Sequence, residues 1–589
     1  MKIHGFNQVG ELNPQLFREI KGRFNRRNLT LATGVSLLAQ LCVYLSFLSR
    51  EFSMNVISLS SKYCNLKETY EQYDKKYTQI QSQLYSSPTN DLSINREALE
   101  VKLSELSQLM NANCPPDAIN SSLWWRDYWA EIFMMLSVFG FFALIIIGSY
   151  MLINDLATEK RRGTLNFIQL SPQTYKSIFV GKILGVPSLL YLAIALFIPY
   201  HIGSGISAGI PILEIFSFYA VVVASCAFFY SFSLLFGLMT LGQSGFQAWL
   251  GSGFIFTFLM LANNKPIYQD GSDWLNLFCP SFLLRYLIDG TSSSYLYFPF
   301  NQESIQVLKW FELPLGTSIT LILLFSLLHF GILTFWIWQG LKRCFHNPDA
   351  TLFSKQQSYW ITGCLTVINL GFLIQDFELK TQSSIIYAVV FNFLLFFALI
   401  AALSPQRQTL QDWARYRQEK VNGKPHLMSD LMYGERSPSV VAIGLNLVIV
   451  IALFGLTTLW IGLPDERLQI LAALLLNVSL IWLCASLVQL VLLMRTPKRG
   501  FWAVGMVGAI IISPLIILAF FGLQPRKEPL VFLLSSLSFA AVEYATIPLI
   551  LTAIVGQSMV TVLLNLKLTQ QLKKAGESTS KALLSGRSA

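Results

Sequence analysis

Five histidines, eight cysteines and 33 acidic residues could do chemistry in this chain, and their spacing limits what that chemistry is. His4, His201, His329, His346 and His426 lie far apart, and no His-Glu-x-x-His pair occurs. No Cys-x-x-Cys spacing exists, which argues against a structural zinc site. Nor is there a Gly-x-x-x-x-Gly-Lys-Ser/Thr loop. Gly181-Lys182 comes nearest, but Ile183 follows it and the upstream glycine is missing. The chain therefore lacks a phosphate cradle of its own, and any ATP it uses is bound by another polypeptide. Paired carboxylates of the kind a hydrolase or transferase needs are not evident. Two ionisable residues stand out within long apolar runs, His329 in Leu-Leu-His-Phe-Gly and Glu543 near the C-terminal end, while Glu131 and Glu214 sit near the outer ends of theirs. At membrane depth either would be a functional group by default. For His329 the alternative is a neutral ring bonded to a neighbouring helix. The expectation is a chain with no catalytic residues, metal or cofactor.

The elements that hold these residues are written in the composition. Of 589 residues, 53% are hydrophobic and 13% charged, against about 25% charged in soluble domains. This excludes a cytosolic enzyme, a disordered tail and a secreted disulfide scaffold. A membrane helix needs about 20 apolar residues, because lipid satisfies none of its backbone groups. Twelve stretches meet that need, near 29–48, 129–152, 178–200, 212–240, 247–263, 315–338, 358–374, 385–403, 439–461, 468–494, 501–522 and 544–566. Residues 529–566 are interrupted by Glu543 and Pro548 and have room for a re-entrant segment before the last span. The first stretch does not read as a cleaved signal peptide, since 28 residues precede it and no small-residue cleavage site follows. The expected fold is an all-α polytopic membrane protein of about 12 spans.

The charges assign the sides. With the N-terminus inside, the inner segments carry 28 of the 43 Lys and Arg but only 10 of the 33 Asp and Glu. That bias follows the positive-inside rule, and it puts both termini in the cytoplasm. The net charge of +10 is then a topology signal, and no nucleic-acid partner is expected. Residues 13–27 predict an interfacial helix. Asn13 is its cap and Pro14 its first residue. Leu16, Phe17, Ile20 and Phe24 share one face, and Arg18, Lys21, Arg23, Arg26 and Arg27 take the rest, toward anionic headgroups. A solvated basic tail is the plainer alternative.

Residues 49–128 form the one large polar region, on the extracytoplasmic side between the first two spans. Tyr63, Leu66, Tyr70, Tyr73, Tyr77, Ile80 and Leu84 repeat at alternating steps of three and four, which is a heptad seam. Residues 86–91 read as a turn, and Leu99, Leu103, Leu106 and Met110 continue the seam. Two antiparallel helices follow, the first about 33 Å long at 1.5 Å per residue. Such a hairpin brings Cys64 and Cys114 together, on the side where disulfides persist. The expectation is a bridge, with two free thiols as the alternative.

The segment after the second span, 153–177, carries Glu159, a basic cluster (Lys160, Arg161, Arg162) and then Gly163-Thr164-Leu165. Gly163 ends the helix leaving the membrane. Thr164 caps a short helix with Leu165, Phe167, Ile168 and Leu170 apolar, and Ser171-Pro172 opens the next. Water gives no reason to display those apolar side chains, but a partner's groove does. The run Glu159, Gly163-Thr164-Leu165, Pro172 and Gly181-Lys182 resembles the permease subunits of bacterial type-2 ABC exporters, and the Asn13-Pro14 helix is similar to that family's elbow helix. The resemblance covers about residues 13–340. It implies that Glu159, Gly163, Thr164, Leu165, Phe167 and Pro172 belong to a coupling element. That element would dock on a separate cytoplasmic ATPase, which binds the ATP and magnesium. An ordinary amphipathic loop is the competing reading.

The implied organisation is an elbow over 1–28, a six-span core over 29–340, a cytoplasmic linker over 341–357, a second six-span region over 358–567 and a basic tail over 568–589. The second region has no Gly-Thr-Leu. Its inner loop, 404–438, offers an amphipathic Leu410-Trp413-Arg417 stretch and a Ser437-Pro438 helix start as a degenerate second contact. A pseudo-dimeric single chain, and a six-span permease with accessory helices that forms homodimers or heterodimers, both remain open. Residues 279–285 read as a short re-entrant or interfacial helix. The expected function is ATP-driven export of an amphipathic or lipid-like substrate. The rivals are a secondary transporter or channel, and a scaffold that binds through its hairpin.

Overall fold

The computed structural model describes residues 11–51, 57–86, 93–240, 245–263, 265–287, 305–347, 350–374, 381–419, 427–461 and 464–576. The protein is all-helical, 81% helix, with no strand among the described residues. In chain order the helices are α1 (Pro14–Arg23), α2 (Arg26–Glu51), α3 (Lys67–Ser86), α4 (Ser93–Met110), α5 (Ser121–Arg161), α6 (Thr164–Gln169), α7 (Tyr175–Gly185), α8 (Ser188–Ser207), α9 (Ile212–Met239), α10 (Gln247–Asn263) and α11 (Ser281–Leu287). They continue as α12 (Ile319–His346), α13 (Lys355–Leu373), α14 (Thr381–Leu403), α15 (Arg407–Glu419), α16 (Leu427–Tyr433), α17 (Val440–Ile461), α18 (Pro464–Leu492), α19 (Arg499–Phe520), α20 (Pro529–Leu533) and α21 (Ile547–Gly576). Ten of these are long and apolar enough to cross a bilayer: α2, α5, α8, α9, α12, α14, α17, α18, α19 and α21. Two expected spans fall short of that combination. α10 has 17 residues, and α13 has 19 but carries Lys355, Gln356, Gln357 and Asn369. The stretch expected at 178–200 is interrupted where α7 ends at Gly185 and α8 begins at Ser188. Pro187 lies between them, without a backbone N–H and disfavouring helical geometry at Val186. Residues 529–546 form α20 and two single 3-10 turns, Ser538–Ala540 and Val542–Tyr544, rather than a spanning helix.

The chain forms two compact units, Met1–Gly148 with Val180–Val223 and Leu283–Phe300, and Ser149–Phe179 with Ala224–Phe282 and Asn301–Ala589. In the first unit, Asn13 caps α1 by accepting from the Leu16 N–H, with Pro14 at the first helical position. The helix stops at Arg23, because Asn25 caps a new helix through the Asn28 N–H at 2.9 Å. Arg26 and Arg27 therefore open α2 instead of closing the N-terminal helix. α2 packs on α8, where Ser36 Oγ donates to the Ala193 carbonyl at 2.9 Å and Gln40 Nε2 to that of Leu196 at 3.2 Å. Polar links of this kind hold apolar helices together where the hydrophobic effect is weak.

α3 and α4 are in contact, and the seam residues Tyr70, Tyr73, Tyr77, Ile80, Leu84, Leu99, Leu103, Leu106 and Met110 are half-buried, most of their neighbours being exposed. Residues 87–92, which hold most of the expected turn, lie outside the described residues. Cys64 and Cys114 form a disulfide with Cα atoms 5.9 Å apart. Around it, the Cys114 N–H donates to the Ile57 carbonyl, Leu59 to Ala112 and Asn65 to Ala118. Lys62 pairs at 2.6 Å with Asp127 of α5, whose carboxylate is buried.

In the second unit α18 is the hub, packed by α14, α17, α19 and α21. Ile481, Ala485, Phe396 and Ile443 are fully buried in its core. α15 lies on α21, with Leu410 packed among Val440, Leu568 and Leu572. α21 runs beyond the expected last span into the first part of the expected basic tail, ending at Gly576; residues 577–589 lie outside the described residues.

Candidate functional site

Gly163 has φ +72°, in the left-handed region, where a Cβ costs about 1–2 kcal/mol. This glycine lets the chain reverse after Arg161 and start α6 at once. Thr164 does not cap that helix: its Oγ1 donates back to the Glu159 carbonyl at 3.2 Å. Positions three apart share a helix face, so α6 has two apolar faces. Leu165 and Ile168 are 1% and 5% exposed, whereas Phe167 and Leu170 are 78% and 86% exposed. Pro172 is exposed in the bend after α6, and the next helix starts three residues later. The cap there is Thr174, which accepts from the Ser177 N–H at 3.2 Å, because Ser171 is occupied donating to the Ile168 carbonyl at 2.7 Å. Glu159 is buried, and Lys160, Arg161 and Arg162 are exposed beside α6. The result is a two-turn helix anchored by one apolar pair and presenting another.

The N-terminal helix packs on the protein through its polar side. Its buried residues are Gln15 and Glu19, not the apolar row, and Leu16, Phe17, Ile20 and Phe24 are only half-buried. Gly181 and Gly185 of α7 explain this. A Cβ at Gly181 would sit 2.9 Å from the Leu16 nitrogen, and one at Gly185 would sit 2.5 Å from the Glu19 Cβ. Lys182, between the two glycines, is 1% exposed and 3.9 Å from the Glu19 carboxylate. Glu19 also accepts from Gln15 at 2.9 Å and from Arg18 and Arg23 at 3.1 Å. A buried cation must be paired, and Glu19 serves that need. Lys21 lies 5.7 Å over the Phe17 ring. The sequence signal was Gly-x-x-x-Gly around a lysine, a close-approach pattern.

His329 is buried in α12. The donor-only Trp274 Nε1–H bonds its Nε2 at 3.1 Å, so the ring is bonded to a neighbouring helical turn. Glu543 is exposed on the Val542–Tyr544 turn, outside the ten long apolar helices. Sequence reasoning missed a second histidine cluster. His201 Nε2 is 2.7 Å from Ser137 Oγ, its Nδ1 is 2.7 Å from Tyr219 Oη, and Phe133 stacks on the ring. Those residues come from α5, α8 and α9, so no spacing along the chain announces them.

A second short helix, α16, also presents apolar side chains, Leu427 at 55% and Met428 at 62% exposed. It is strapped down. Buried Lys355 donates to the carbonyls of Leu431 and Pro438 and to Ser437 Oγ at 2.6–3.0 Å. Tyr359 Oη donates to the Met432 carbonyl, Trp413 Nε1 donates to Asp430, and Arg343 grips Glu435 with two bonds of 2.9 and 3.0 Å. The Leu410-Trp413-Arg417 face of α15 is used internally for this packing. α11, within the expected 279–285 helix region, is short and mostly buried.

No protein-family profile matches this chain, and neither a curated protein nor a solved structure matches it.

Proposed function

We propose that the chain is the membrane-spanning permease subunit of an ATP-driven exporter of the bacterial plasma membrane, with both termini cytoplasmic. The observation that carries this reading is α6. A six-residue helix that buries Leu165 and Ile168 while holding Phe167 and Leu170 out is costly in water and useful against a partner. The partner is a cytoplasmic ABC ATPase holding the ATP and magnesium. Glu159, Gly163, Thr164 and Pro172 set the start, reversal and end of the coupling element, and Phe167 supplies the contact. The strapped α16 supplies a second apolar contact, which favours a single chain that is pseudo-dimeric over one that must dimerise. α1 is an elbow lying in the headgroup region, with Arg18, Lys21 and Arg23 toward anionic lipid and Arg26 and Arg27 at the mouth of the first span. α3 and α4 form an extracytoplasmic hairpin. Nucleotide-driven closure of the ATPases moves the coupling element and switches access between the two sides of the membrane. The substrate is amphipathic or lipid-like. Counting α10 and α13, the spans number twelve.

The test is capture of the ATPase on the full-length chain from native membranes. The wild-type chain recovers a Walker-type ATPase, and F167D with L170D loses it while keeping its fold. Recovery of no ATPase, or equal recovery by the double variant, refutes the reading.

A further inference from the structure

The second unit encloses a set of polar side chains that its own fold leaves unused. Asn276, His329, Asn369 and Asn392 are each no more than 2% exposed. Among the described residues, both amide atoms of Asn276 and Asn392, the Asn369 Oδ1 and the His329 Nδ1 have no hydrogen-bond partner. These residues belong to elements that pack on one another. The 3-10 helix Gly271–Phe278 touches both α13 and α14, so closely that a Cβ on Gly271 would lie 2.6 Å from Leu373 and 3.4 Å from Tyr387. Trp274 meets Phe391, the neighbour of Asn392, at 5.5 Å between ring centroids, and donates to His329 of α12. Because an indole N–H only donates, His329 Nε2 must accept, and the ring proton then sits on Nδ1. The set thus offers donors (the His329 Nδ1–H and the amide nitrogens) and acceptors (the amide oxygens) but no charge. The nearby carboxylate, Asp273, is taken up by Lys265 at 3.0 Å and the Tyr268 N–H at 3.1 Å. Trp274 and Phe278 flank the His329 ring, and Phe391 packs on Trp274.

Buried amides are ordinarily bonded within the protein, and a leucine of similar size would serve packing better. We propose that Asn276, His329, Asn369 and Asn392 form a binding site for the uncharged, hydroxyl-bearing headgroup of an amphiphile. A hydroxyl both donates and accepts, as this set requires, whereas an anionic or cationic headgroup would find no counter-charge. Only the description of this ligand as transported substrate rests on the export reading. Binding to the isolated chain needs no ATPase, so the two can fail separately.

The test uses the full-length chain in phosphatidylcholine nanodiscs with graded monoglucosyl diacylglycerol, or with the same fractions of phosphatidylglycerol. Wild type should show a saturating rise of a few degrees in thermal midpoint with the glycolipid and none with phosphatidylglycerol. N276L and N392L should each lose the response while melting no lower than wild type in phosphatidylcholine alone. The proposal is overturned by the absence of a glycolipid response in wild type, by an equal response to phosphatidylglycerol, or by a response that both variants keep. A lower midpoint of both variants in phosphatidylcholine alone also overturns it, because the amides would then be structural.

Discussion

Lys182 and Glu19 show how a single buried charge fixes a helix. Breaking a buried pair from one side strands the other charge, at a cost of about 3–5 kcal/mol. E19Q removes the carboxylate beside buried Lys182 and should therefore lower stability by about 3 kcal/mol, and adding K182M should restore part of the loss. Denaturation of the two variants in the same detergent checks this, and strictly additive losses would contradict it. Arg343 and Glu435 give a pH signature. The hydrogen bonds from Arg343 hold the Glu435 carboxyl below its ordinary value of 4.5. Its contribution is thus complete above about 4.5 and is lost as pH falls through the lower folded value. The difference in thermal midpoint between wild type and R343Q should be steady near neutral pH and shrink in that acid window. A difference that grows on acidification would reverse the sign. At this scale the sequence was half-legible. Asn13 and Gly163 announced their roles through local backbone chemistry. Glu19, Thr164 and His201 did not, because their partners are set by tertiary packing or by competition among neighbouring hydroxyls.

Among the elements, the disulfide closes a sequence separation of 50 residues, which in the chain-entropy model stabilises by about 4 kcal/mol. The C64S/C114S double variant should lose a stability of that order, and non-reducing peptide mapping of wild type should recover the linked peptide. The two faces of α6 separate folding from docking. L165D places a charge in a buried position and should destabilise the protein measurably, whereas F167D and L170D, being exposed, should leave the midpoint within about 0.5 kcal/mol of wild type. Similar melting of all three variants would contradict the two-faced helix. The helix pair α3–α4 was legible because a heptad seam is a local periodic signal. The break at Val186–Pro187 was missed because hydropathy alone reads straight through a proline. The apolar side of α15, read as a second outward contact, is covered by α21, whose position no window of sequence reveals.

For the molecule as a whole, the scarcity of charge foretold an all-helical chain with many apolar spans, and the asymmetric basic loops give the proposed orientation. Two of the expected spans, at α10 and α13, are helices that fall short of the length and composition for crossing a bilayer, because shortness and polar residues weaken the membrane signal without preventing helix formation. The borders of the two compact units fall inside α5, α7, α9 and α11, since compactness follows packing and not sequence repeats. The orientation predicts that a cysteine placed at Ser171 is labelled by an impermeant maleimide only after the cells are opened, while one at Ser82 is labelled on intact spheroplasts; the reverse pattern would invert the topology. In the proposed function this chain couples to a separate ATPase through α6. That coupling is tested most directly by quantifying ATPase co-purified with wild type and with F167D/L170D from the same membranes. Docking through α6 predicts near-stoichiometric ATPase on wild type and a loss of at least about tenfold on the variant, equivalent to about 1.4 kcal/mol of binding, with the Cys64–Cys114 bridge intact in both. Equal ATPase on both chains, or none on either, would contradict it.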